Sequence, residues 1–331
     1  MMSKILIFGI TGSVGAYLST DLASKGHQVV GVGSRESDNG FFAEKGIEYL
    51  QLDITQRDQF NRLEGHVFDA VVHLAGAMPS KMEGYNPHKY IDTIMTGTLN
   101  VLDFVKNQSI PKIIFTQTRA DSNHLMGSER PVPSEIQRSF PMTGDHSIYT
   151  ICKNAAVDLV EHYYQSFGIA RFILRLPTIY AFHPDKYFYV NGKRKVKAYR
   201  YLMDLAANSS PIEIWGNPSL KKEITYVKDL VQIIEKAIDS HLDGGFYNVG
   251  CGVGVSLDEQ IKGIIKVFSP KDNPSPIIYR PEMSDSRQFV HDISKTKKEL
   301  NYIPAYNYLD LLKDFKEEME INRFAKLWGN A

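Results

Sequence analysis

The chain has 331 residues, and its 38 basic and 38 acidic side chains cancel, so it offers no overall field for nucleic acid or an anionic membrane. Two cysteines, Cys152 and Cys251, are too few for a disulfide framework or a metal set, which fits a reducing, cytoplasmic setting. No apolar run reaches transmembrane length.

The first predicted strand, 5–8, runs straight into Gly9, Gly12 and Gly15, and a helical pattern follows through Val14, Leu18 and Leu22. Strand, glycine turn and helix in that order let a backbone approach a pyrophosphate. Ser13 and Val14 open the helix, whose free N–H groups and partial positive charge face the anion. Further strands are expected at 28–32, 49–52, 70–74, 113–116 and 171–176, several of them continuous Val/Ile runs of the kind buried on both faces. Helical patterns lie between them, notably 96–106 and 148–167. Alternating β and α predicts an α/β fold built on a doubly wound parallel sheet.

From about residue 182 the chain turns to loops, aromatics and basic residues. Helices are expected at 197–207, 227–240, 257–268 and 309–322, with short strands at 212–215 and 245–249. This divides the chain into a dinucleotide-binding domain, 1–180, and a mainly substrate-binding smaller lobe, 181–331, with some segments returning to the first domain. The loop carrying Tyr187, Tyr189, Arg194 and Tyr199 is expected to shape the substrate pocket.

Tyr149 and Lys153 stand one helical turn apart, so phenol and ammonium share a face. A nearby ammonium stabilises a phenolate and makes tyrosine a usable general base. Two other pairs have this spacing, Tyr85/Lys89 and Tyr189/Lys193, but Pro87 and Gly192 interrupt them. By itself the spacing reads as an ordinary surface pair.

Taken with the GxxGxxG turn, Val71-Val72-His73-Leu74-Ala75-Gly76 and the Tyr149/Lys153 pair, the chain resembles the extended short-chain dehydrogenase/reductases, and more narrowly their nucleotide-sugar epimerase/dehydratase branch. The resemblance continues through Leu174–Tyr180, 224–230, 247–250 and 292–295 and so spans nearly the whole chain. It implies a Rossmann domain in which Leu74, Ala75, Gly76 and Pro177 also line the cofactor site and Asp53 and Ile54 hold adenine. Thr118 would sit beside the reacting sugar oxygen, with Thr116 as the neighbouring alternative. Tyr149 would act as base, and Lys153 would hold the nicotinamide ribose and keep the phenol acidic. Thr178, Lys222 and Arg287 would contact substrate, although each reads equally well as an exposed polar residue.

Several positions depart from the family pattern. Dehydratases place Asp-Glu after the catalytic hydroxyl, where this chain has Arg119 and Ala120, so dehydration is demoted. Members preferring NAD end the second strand in Asp, where this chain reads Gly33-Ser34-Arg35. Without a carboxylate to repel a 2′-phosphate, and with Ser34 and Arg35 available to bind one, the charge argument favours NADP over NAD. Otherwise Arg35 is a surface residue. Ile94 replaces a family Asn. The expected chemistry is hydride transfer at a sugar carbon, most often C4, by an epimerase or a 4-keto-sugar reductase. A catalytically idle regulator on the same fold is a third reading. The resemblance also implies a homodimer paired through helices 96–106 and 148–167.

Overall fold

In a computed structural model, which describes residues 2–190 and 192–329, the apolar runs of the first half become strands of one parallel sheet. These are β1 (Lys4–Phe8), β2 (Gln28–Gly33), β3 (Glu48–Gln51), β4 (Ala70–His73), β5 (Lys112–Thr118) and β6 (Ala170–Leu176). A seventh strand, Gly244–Asn248, returns from the second half to pair with β6. The sheet runs in the order β3, β2, β1, β4, β5, β6 and the returning strand. The order reverses between β1 and β4, and open α/β sheets bind ligands in the crevice at that switch point, beyond the carboxyl ends of the strands.

Both faces are covered, which is why these strands read as unbroken apolar runs. Ile5 and Ile7 of β1 join one core with Leu18 and Leu22 of the Ser13–Ser24 helix and Leu230 and Ile234 of the Val227–Asp239 helix. Leu6 and Phe8 join the other, with Val101 and Val105 of the Gly97–Asn107 helix and Ala156 and Val160 of the Asp145–Phe167 helix.

The helix expected at 96–106 is preceded by a π-helical stretch, Ile91–Thr96. Ile94 lies on it with 1% exposure, so an apolar side chain packs there where the family pattern would put an amide. The expected 182–200 loop contains an antiparallel hairpin, Tyr187–Val190 with Lys193–Val196. The smaller lobe packs the Ala198–Ala207 helix on Leu257–Phe268, and that helix on Tyr308–Ile321. Ile212–Trp215 pairs in parallel with Ile277–Arg280. Met203, Ile264 and Phe315 of these helices belong to the same core as the sheet face, so lobe and sheet are continuous on that side. No helix among the described residues is long and apolar enough to cross a membrane.

The glycine turn is held by close backbone approach. A Cβ on Gly15 would lie 2.4 Å from the Gly9 carbonyl oxygen. Gly15→Ala should therefore cost about 1–3 kcal/mol as an overpacking change. A melting curve should show the loss, and a melting temperature equal to wild type would contradict this packing.

Candidate active site

Gly9 adopts φ +87°, a region open to glycine, and a Cβ there would stand 2.8 Å from the Ala75 amide nitrogen. The turns after β1 and β4 are thereby pressed together at the switch point. Gly12 caps the Ser13–Ser24 helix with no side chain bonded to its first turn. Its amide donates back to Gly9 O at 3.1 Å. The amides of Ser13, Val14 and Gly15 stand in the first turn of that helix, where no intrahelical acceptor exists. Gly12 itself is exposed. Bare backbone, a free helix N-terminus and no Cβ in the way fit a pyrophosphate. Leu74 and Ala75 are half-buried and Gly76 is exposed beside this cradle.

The neighbouring edge is built differently from the sequence expectation. A Cβ on Gly33 would meet Thr11 and the Tyr49 hydroxyl at 3.0–3.1 Å, so a side chain at the end of β2 would need both neighbours to shift. Ser34 and Arg35 are exposed. One Arg35 nitrogen donates to the Leu327 carbonyl at 3.1 Å, and Trp328 Nε1 donates to Thr11 O at 2.9 Å. The C-terminal turn thus docks onto the glycine turn, and its Trp328 ring lies 4.4 Å from that of His183. Sequence reading missed this contact, because 317 positions separate its partners and no local pattern reports such a pairing. Asp53 is exposed, and its carboxylate accepts from Thr55 N in its own turn. Ile54 is buried against Gly97.

Across the crevice, β5 delivers Thr118 to the site and the Asp145–Phe167 helix delivers Tyr149 and Lys153. Burial pushes the Tyr149 phenol up to about 12, a hydrogen bond with Thr118 opposes the shift, and Tyr90 adds to it. Burial draws Lys153 down to about 8. Its ammonium donates to the Thr116 carbonyl at 2.8 Å and lies 4.6 Å from the centre of the Phe115 ring. The expectation that Lys153 holds the phenol low is therefore not met in this arrangement. Desolvation raises the phenol, and the ammonium is aimed at β5. Thr116 offers its backbone to Lys153, and Thr118 offers its hydroxyl to Tyr149. Gln117 braces both elements: its amide nitrogen donates to Asn154 Oδ1 at 2.8 Å, and its oxygen accepts from Thr118 N at 2.7 Å.

On the substrate side, Pro177 is half-buried and Thr178 exposed at the end of β6. Lys222 lies on the Lys221–Glu223 strand, which pairs with Gly254–Ser256 and bridges to Phe289. Arg287 is exposed two residues before Phe289. Lys81 donates to Asp185 at 2.6 Å, joining the segment after β4 to the hairpin region. Tyr199 is half-buried and stacks on Tyr180 with ring centres 4.1 Å apart.

A buried ion pair supports this edge. Arg175 and Asp121 are 1% and 0% exposed and bonded through both guanidinium and carboxylate arms at 3.0–3.2 Å. Arg175 also donates to Ser134 O and to Asn248 Oδ1. Glu223 accepts from His291 and from the Gly252 amide, which turns it away from Lys222 as strand alternation requires.

The NAD dependent epimerase/dehydratase family model matches residues 5–250. This chain belongs to that family. It is 24% identical to a UDP-glucuronate 4-epimerase of Thermodesulfobacterium geofontis, over 98% of this chain and 100% of the relative. The fold is that of UDP-glucose 4-epimerase from Thermotoga maritima, solved with UDP-glucose, at TM-score 0.75 and 19% identity, covering 96% of this chain and 99% of the other. It is equally that of UDP-glucuronic acid 4-epimerase from Bacillus cereus, solved with NAD, at TM-score 0.71 and 21% identity, covering 96% and 97%. In this family member the glycine cradle fits the dinucleotide on its own geometry.

His73, at the end of β4, gives the site a pH dependence. Burial, and secondarily the Lys153 ammonium, hold it at about 3, and Nε2 meets Thr98 Oγ1 at 3.0 Å. The unfolded chain takes up this proton near pH 6.5, and the fold refuses it until about 3. Stability contributed here is complete above pH 6.5 and declines as pH falls through that window, by about 2 kcal/mol at pH 5. His73→Gln should melt with a shallower acid dependence than wild type between pH 6.5 and 4. Parallel curves would contradict the assignment.

Proposed function

We propose that this chain is a nucleotide-sugar 4-epimerase in which Tyr149, hydrogen-bonded to Thr118, moves the proton of the sugar hydroxyl. The observation that carries this reading is the Thr118–Tyr149 contact at the carboxyl end of the sheet, across the switch point from the glycine cradle. Family membership and the UDP-sugar relatives support it.

Gly9, Gly12 and Gly15 with the amides of Ser13 and Val14 would hold the pyrophosphate, Asp53 and Ile54 the adenosine end, and Leu74–Gly76 and Pro177 the nicotinamide side. A nicotinamide held there would supply the hydride acceptor and donor for the sugar carbon. Tyr149, as phenolate, takes the sugar hydroxyl proton directly or through Thr118 as the carbonyl forms, and returns it when the alcohol is restored. A phenol held near 12 by desolvation is a poor base until a cation compensates it, and Lys153, one turn away, would do so only by turning from the Thr116 carbonyl toward the phenol. Lys222 and Arg287 would meet the diphosphate and Thr178 the sugar. Arg119 and Ala120 supply no carboxyl to protonate a leaving hydroxyl, which is why dehydration is not the reaction proposed. Leu99 and Ile151, each more than a third exposed on the Gly97–Asn107 and Asp145–Phe167 helices, suit the homodimer expected there.

A second reading, a 4-keto-sugar reductase using NADPH, is favoured by one observation, the missing carboxylate at Gly33. Arg35 spends one of its five donors on Leu327 O and keeps others for a 2′-phosphate.

Tyr149→Phe should lower turnover of UDP-sugars by about 10²–10⁴-fold while dinucleotide binding changes little. Unchanged turnover would remove Tyr149 from the mechanism. Titration with NADH and NADPH should show tighter NADPH binding that Arg35→Ala abolishes. A wild-type preference for NADH would remove the reductase reading.

A further inference from the structure

We propose that Arg119, which follows Thr118 directly and stands half-buried beside the Phe289 ring, receives a carboxylate carried by the sugar and so selects acidic sugar nucleotides. This rests on the nucleotide-sugar reading above and deepens it by naming a substrate class.

Arg119 follows Thr118 directly in the chain, at the carboxyl end of β5, and its side chain is half-buried. Its contacts are Met126 Sδ at 3.5 Å and the Phe289 ring, 5.7 Å from guanidinium carbon to ring centre. Neither neutralises the charge. Lys222 bridges to the same Phe289 and is close enough for Arg119 to repel its ammonium, adding to the effect of burial.

Two carboxylates stand beside these cations in sequence, and both are committed elsewhere. Asp121, two residues after Arg119, is bound through both oxygens to Arg175. Glu223, next to Lys222, is turned to the opposite face of its strand and bonded to His291 and Gly252. Two half-buried cations therefore stand near Phe289, with no acidic partner for either among the described residues. Taking unneutralised charge out of water is unfavourable. A fold that leaves Arg119 unneutralised at a ligand site suits an anion there, and a guanidinium matches a planar carboxylate with two parallel N–H donors.

The anion could be the sugar's carboxylate or the nucleotide's diphosphate. Arg119 is attached to the residue whose hydroxyl meets the Tyr149 phenol, which places its backbone at the reacting sugar rather than at the nucleoside. Lys222, on a lobe strand, is left for the diphosphate.

The test is calorimetric binding of UDP-glucuronate, UDP-glucose and UDP to the cofactor-loaded protein and to its Arg119→Met and Arg119→Lys variants. Wild type should bind UDP-glucuronate at least about tenfold tighter than UDP-glucose, the effect expected of one charge-assisted pair. Arg119→Met should erase that preference and leave UDP affinity unchanged, which also shows that the variant is folded. Arg119→Lys should retain part of the preference. Equal weakening of all three ligands by Arg119→Met would assign Arg119 to the diphosphate and overturn the proposal, as would a wild type that does not discriminate. If UDP and both sugar nucleotides fail to bind while the dinucleotide does, the nucleotide-sugar reading itself falls, and this inference with it.

Discussion

A guanidinium and a carboxylate sealed from water, Arg175 with Asp121, underlie the catalytic edge of the sheet. A buried charge is tolerated only when its partner and remaining donors are satisfied, and removing one member of such a pair typically costs about 3–5 kcal/mol. Satisfying Arg175 draws in Ser134 and Asn248, and Asn248 in turn donates to the carbonyls of Val132 and Asp292. Segments from β5, β6, the returning strand and the C-terminal third are thus fixed relative to one another. Thr118 and Arg119 project from the part of the chain that this pair immobilises.

The same withdrawal from water shapes the chemistry. Tyr149 and Lys153 are perturbed in opposite directions because desolvation disfavours the charged form of each. The phenol is kept neutral and the ammonium is brought close to titrating, so each depends on its neighbours for its protonation state. His73, deeper still, is held neutral and bonds to Thr98 on the Gly97–Asn107 helix. The end of β4 and that helix are tied together without adding charge beside Lys153.

Much of this was legible in the residues. Each predicted strand of the first half falls within one or two residues of its position in the sheet, because fully buried parallel strands announce themselves as Val/Ile runs. The glycine turn was equally plain, since Gly9 and Gly15 are demanded by backbone approach rather than by any partner chosen elsewhere. The π-helical stretch at Ile91–Thr96 and the Tyr187–Val196 hairpin were not legible. A π-helical turn has no periodic signature of its own, and the hairpin strands are short, with the second mostly basic. The docking of Trp328 on Thr11 and of Leu327 on Arg35 joins opposite ends of the chain.

The sequence by itself determined the α/β order, the glycine cradle and the spacing that puts Tyr149 and Lys153 on one helical face, because each depends on neighbours within a few residues. Tertiary structure alone decided how those groups are charged and aimed. It set Lys153 on the Thr116 carbonyl, committed Asp121 and Glu223 to buried partners, and left Arg119 half-buried beside the Phe289 ring. Desolvation and charge pairing depend on which distant segments close over a side chain, and local sequence carries no record of that.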